Sequence, residues 1–195
     1  MNASPFVKTL LLAALSVGTV SALAHVGADA GSHHGFVSGF VHPITGLDHL
    51  AAMLAVGVWS ALTTRRLWLA PLSFAALLLA GALLAQAGLA LPAIEPMIAA
   101  SMLVLGLLLA ARIRLPEAAG AALVGGFALF HGAAHGQELA GVGALTGMVL
   151  GTATLHLAGM GIGLGLKRAS AWLPRAAGAA VALMGVNMGW SLLAS

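Results

Sequence analysis

The chain has 195 residues, of which 61% are hydrophobic and only 7% are charged, with a mean hydropathy of +1.04. Soluble domains carry about 25% charged residues, so the composition excludes an ordinary soluble protein and points to an integral membrane protein with room for one compact helical bundle. Cysteine is absent, which removes disulfides, thiolate metal sites and a cysteine nucleophile, and the basic residues behind a pI near 10.7 are few and paired, a topology signal rather than a nucleic-acid face.

Residues 1–24 read as a cleavable secretory signal peptide. Lys8 supplies the positive start, residues 10–20 the apolar centre, and Ala22-Leu23-Ala24 the small-residue cleavage pattern. The apolar run is short for a membrane span, and cleavage after Ala24 makes His25 the mature N-terminus. Residues 25–41 are polar and glycine-rich and predict a periplasmic arm carrying His25, His33 and His34. Residues 42–195 then form the transmembrane domain, an all-α bundle of six helices at about 44–62, 67–89, 96–111, 117–134, 139–166 and 172–193. Each span is a helix because backbone polar groups cannot face lipid unpaired.

Basic residues orient this bundle. Arg65 and Arg66 follow the first span, Arg112 and Arg114 the third, and Lys167, Arg168 and Arg175 the fifth. The positive-inside rule makes those loops cytoplasmic, which leaves the mature N-terminus and the C-terminus both periplasmic and the protein multi-pass in a bacterial inner membrane. The same topology collects His42, Asp48, His49, Glu95, His131, His135 and Glu138 at the outer side. Glu117, after Pro116 on the cytoplasmic side, reads as a helix-start carboxylate that complements the dipole. The 26 glycines, many at helical spacing in the fourth and fifth spans, predict close helix packing.

Two clusters carry chemistry. In the first, His42-Pro43-x-x-Gly46-x-Asp48-His49, the histidines are seven residues apart and share a face if the helix runs through both. Pro43 and Gly46 favour irregular backbone at that point, which is tolerated at membrane depth where it lines a polar cavity. Met53 lies one turn beyond His49, where it could add a thioether but reads rather as a membrane-facing or core methionine. In the second, His131 and His135 are at i and i+4, and Glu138 follows three residues later, so a helix projects all three to one side. Ionisable groups inside a membrane are costly and mark function, and imidazole with carboxylate suits Ni²⁺, Co²⁺ or Zn²⁺. His42, Asp48, His49, His131, His135 and Glu138 are therefore the candidate metal ligands. His25, His33, His34, Glu95 and the mid-span His156 are secondary candidates.

HPITGLDH followed by an apolar run, with HGAAHGQE in the fourth span, resembles the HupE/UreJ family of nickel and cobalt permeases over essentially the whole chain. The resemblance implies secondary uptake of Ni²⁺, or of Co²⁺, in support of hydrogenase or urease maturation or a cobalt pathway. It also implies functional roles for His42, Asp48, His49, His135 and Glu138, with Glu95 and Phe74 as weaker correspondences. The expected path collects the ion on the histidine arm and dehydrates it at His42, Asp48 and His49. The ion then passes to His135 and Glu138, with uptake falling as acid protonates the ligands. Two rivals remain open from the residues themselves: an intramembrane zinc-dependent hydrolase, with Asp48 or Glu138 activating water, and a metal sensor or storage protein. Pairing through the glycine-rich fifth span would make a homo-oligomer.

Overall fold

The computed structural model describes residues 33–169 and 171–194. The signal peptide expected over 1–24 and the beginning of the arm, including His25, lie outside the described residues. The elements in chain order are β1 (His33–His34), α1 (Phe36–Thr45), α2 (Leu47–Thr63), α3 (Leu69–Gln86), α4 (Ile94–Ala111), α5 (Glu117–Glu138), β2 (Leu139–Ala140), α6 (Gly141–Ala169) and α7 (Leu173–Ala194). The described fold is thus all-α, with one two-residue parallel pairing of β1 on β2.

Helices α3, α5, α6 and α7 are long and apolar enough to cross a bilayer, and α1 with α2 passes as a fifth span bent by 82°. The bend separates the structure from the simplest expectation. Helix begins at Phe36, so part of the segment read as an arm is α1. The run then breaks at Gly46, which is extended at φ −79, ψ 113, and α2 restarts at Leu47. His42 and His49 consequently sit on different helices and do not share one helical face. Pro43 in the last turns of α1 removes one helical N–H donor, and the Gly46 N–H makes the helix's closing bond, to the His42 carbonyl at 3.4 Å. A residue with this φ need not be glycine. Here a Cβ at Gly46 would come within 3.1 Å of His49 Nδ1 and 3.2 Å of Asp48 Oδ1, so the missing side chain leaves space for that polar pair.

The helices pack chiefly as α3 on α5, α4 on α7, and both α1 and α2 on α6. Apolar helices in lipid gain little from one another by hydrophobicity and associate through close van der Waals packing at small residues. Gly132 of α5 shows this most directly, because a Cβ there would overlap the Leu78 carbonyl of α3. Met53, Trp59, Phe74, Leu78, Met102, Leu105 and Met148 are buried at the centre, which places Met53 in the core.

One end of the bundle gathers basic loops. Trp59 Nε1 donates to the Ile113 carbonyl at 2.9 Å, the Arg66 N–H donates to Glu117 Oε1 at 3.0 Å, and the Arg66 guanidinium lies 3.3 Å from Glu117 Oε2. Glu117 therefore does more than complement its helix: it ties the loop after α2 to the start of α5. The Arg66 side chain is 78% exposed, so the ion pair itself contributes about 0–1 kcal/mol. Glu117→Gln is expected to shift thermal stability by no more than that, read by a thermal melt of the purified chain.

Candidate metal centre

The opposite end of the bundle is polar. α5 runs from Glu117 to Glu138 as one continuous helix, so His131, His135 and Glu138 fall on one side of it as the spacing requires. The break at Gly46 turns α1 so that His42 meets that side. His42 Nε2 lies 2.9 Å from Glu138 Oε2, and the His42 and His135 rings meet edge-on with centroids 4.7 Å apart. One ligand atom from each of His42, His135 and Glu138 falls within 4.8 Å of the others. Two ligands each about 2.1 Å from a shared ion are at most about 4.2 Å apart, so small side-chain shifts would close this trio around a divalent cation.

The burial of the trio is graded. His135 is 1% exposed, whereas the His42 and Glu138 side chains are 24% and 38% exposed. Neither ring nitrogen of His135 has a hydrogen-bond partner among the described protein groups. An unpaired buried polar group costs about 1–3 kcal/mol, and one lone pair of a neutral imidazole is free to bind a metal. The donor set is imidazole and carboxylate with no sulfur, which fits Ni²⁺, Co²⁺ or Zn²⁺.

Asp48 and His49 stand beside the trio and pair with each other. Asp48 Oδ1 is 3.0 Å from His49 Nδ1. A carboxylate there accepts the Nδ1 proton and leaves His49 Nε2 as the lone-pair nitrogen, and that nitrogen is buried without a partner. The His49 ring lies 4.2 Å from His135 and 5.1 Å from His131 between centroids. His131 in turn lies 5.8 Å from Phe74, and Phe74 lies 5.0 Å edge-on to His156 of α6. A chain of neighbouring rings thus leads from Glu138 into the bundle, from His42 to His135, His49, His131, Phe74 and His156. His131 is fully buried and His156 is 2% exposed.

Of the other sequence candidates, Glu95 is exposed in the first turn of α4 and stands outside the trio. The backbone of His33 pairs in register with Leu139, the residue after Glu138, and His34 with Ala140, so the described part of the arm is tied at the mouth of the cluster. His25 lies outside the described residues. Gln86 of α3 donates to the Leu139 carbonyl at 2.7 Å and secures the same turn. Gln86 and Ser101, which contacts His131, escaped the sequence reading. A lone polar residue in an apolar run carries no motif.

A family model described as "HupE / UreJ protein" matches residues 12–188. The chain belongs to the HupE/UreJ family. It is 42% identical over 186 residues to Protein HupE of Rhizobium leguminosarum bv. viciae, a match covering 92% of this chain and 95% of that protein. No solved structure matches the chain. In this HupE/UreJ protein both sequence clusters fall at one end of the bundle. They divide there into a three-residue candidate ligand set, an adjoining Asp48–His49 pair, and the buried His131 beside His49.

Proposed function

We propose that the chain is a secondary transporter that takes up a divalent transition metal, Ni²⁺ foremost and Co²⁺ next, across a bacterial inner membrane. The observation that carries this is the trio of His42, His135 and Glu138, whose ligand atoms converge within 4.8 Å at the end of the bundle opposite the paired basic residues. HupE/UreJ membership supports transport over an intramembrane zinc hydrolase or a storage protein, and it supports a supply role toward hydrogenase or urease.

In this reading α4 is a sixth span, the signal peptide is removed, both mature termini are periplasmic, and the trio faces the periplasm. The paired basic residues at the Glu117 end support that orientation through the positive-inside rule. Glu95 and the arm histidines, His25, His33 and His34, draw cations to the mouth. The trio replaces part of the hydration shell, and the ion exchanges its contact with the carboxylate for imidazoles as it moves past His49 and His131 toward His156. Stepwise exchange between sites of moderate strength lets an ion both enter and leave.

Asp48 acts in this scheme through His49, holding the ring so that Nε2 meets the ion. Orienting partners of metal-binding histidines are worth about 10- to 100-fold in affinity or activity. Asp48→Ala is expected to weaken Ni²⁺ binding by a factor in that range while helix content is retained, read by competition titration and circular dichroism on the purified chain.

Transport itself is tested by loading proteoliposomes with a metal-sensitive dye and adding Ni²⁺ outside. Saturable accumulation supports the proposal. Binding without accumulation would favour storage or sensing, and release of a hydrolysed product without flux would favour the hydrolase.

A further inference from the structure

Ser101 sits in the middle of α4, fully buried, with its hydroxyl in two short contacts. Ser101 Oγ is 2.7 Å from the Ile98 carbonyl oxygen and 2.7 Å from His131 Nε2. A hydroxyl has one proton, and a carbonyl oxygen can only accept. The proton therefore goes to Ile98, and the second contact is a hydrogen bond only if the His131 Nε2–H donates to the serine oxygen. The opposite tautomer would set two lone pairs against each other at 2.7 Å. A neutral imidazole with its proton on Nε2 carries its lone pair on Nδ1, and His131 Nδ1 is buried with no hydrogen-bond partner. The ring's neighbours are Phe74, at 5.8 Å between centroids, and His49, at 5.1 Å, whose own unpartnered nitrogen is set by the Asp48 contact to its Nδ1.

We propose that Ser101 is a positioning residue for metal passage: it locks His131 in the Nε2–H tautomer and presents the Nδ1 lone pair to an ion leaving the trio. This rests on the reading above that His131 handles the metal. The arrangement matches a general feature of metal-binding histidines, whose second ring nitrogen donates to an oxygen that fixes the ring. Here two helices contribute such partners, Asp48 on α2 for His49 and Ser101 on α4 for His131. Two consecutive imidazoles then each present one defined lone pair. The Ser101 hydroxyl is itself fixed by its own helix, because the Ile98 carbonyl takes its proton.

The test uses the full chain in lipid nanodiscs, with Ni²⁺ alone as the probe. Nitrogen-15 NMR of histidine-labelled protein without metal, under conditions where His131 is neutral, should show its proton on Nε2. Ser101→Ala should redistribute it toward Nδ1 and lower Ni²⁺ flux about 10-fold or more, whereas Ser101→Thr, which keeps the hydroxyl, should recover most of the flux. In a His131→Ala background the same Ser101→Ala change should have no further effect on flux. A wild-type proton on Nδ1, a Ser101→Ala flux equal to wild type, or a loss that adds in full to that of His131→Ala would each overturn the proposal. The tautomer measurement on the unaltered chain decides the matter even if Ser101→Ala fails to fold. Failure of the unaltered chain to move Ni²⁺ at all would overturn the transport reading instead, a result distinct from any of these.

Discussion

Glu138→Gln is expected to lower Ni²⁺ affinity by at least about 100-fold. The substitution keeps the size and most of the shape of the side chain but removes the trio's one negative charge, and a carboxamide is a poor metal ligand. Loss of an orienting group alone costs about 10- to 100-fold, and loss of a direct ligand should exceed the upper end of that range. The change should not unfold the chain, because Glu138 is 38% exposed and its one described ion pair is with His42. Calorimetric titration with Ni²⁺, paired with a thermal melt, separates the two effects. An unchanged affinity would remove Glu138 from the ligand set, and with it the geometric basis of the site.

The second large effect is structural. Gly132→Ala is expected to destabilise the chain by about 3 kcal/mol, the upper end for overpacking. The new Cβ would overlap the Leu78 carbonyl, which is backbone of α3 and cannot move aside as a flexible side chain could. Gly132 lies between His131 and His135, so pushing α5 away from α3 shifts both histidines and carries His131 away from Phe74 of α3. Metal affinity should therefore fall together with the melting temperature. Gly126→Ala on the same helix is the control. A Cβ there meets nothing within 4 Å, and alanine in a helix interior gains about 0.5–1 kcal/mol over glycine. If the two variants melted at the same temperature, close α3–α5 packing would not be what positions the histidines.

Much of this was legible in the residues. The spacing of His131, His135 and Glu138 places them on one side of a helix, and α5 is that helix. Pro43 and Gly46 announced irregular backbone, and the chain breaks there. The angle of the break was not legible, because it depends on how α1 and α2 both find room against α6, a tertiary matter that local spacing does not encode. That angle decides the site. It sends His42 to Glu138 and His135, and it leaves Asp48 to pair with His49 instead of joining the trio. Spacing reports shared faces and not which faces meet, so the sequence alone leaves open how the six candidate ligands group in space. Ser101 shows the complementary gap: a serine in an apolar helix is silent until its two hydrogen-bond partners are seen.

The ion is expected to be held first where α1 and α5 meet, by the imidazoles of His42 and His135 and the carboxylate of Glu138. X-ray absorption on the Ni²⁺-loaded, purified chain tests this most directly when wild type and His135→Ala are compared. The expected result is a nitrogen and oxygen shell without sulfur, with imidazole scattering from more than one ring in the wild type and one ring fewer in the variant. An identical shell in both proteins would contradict it.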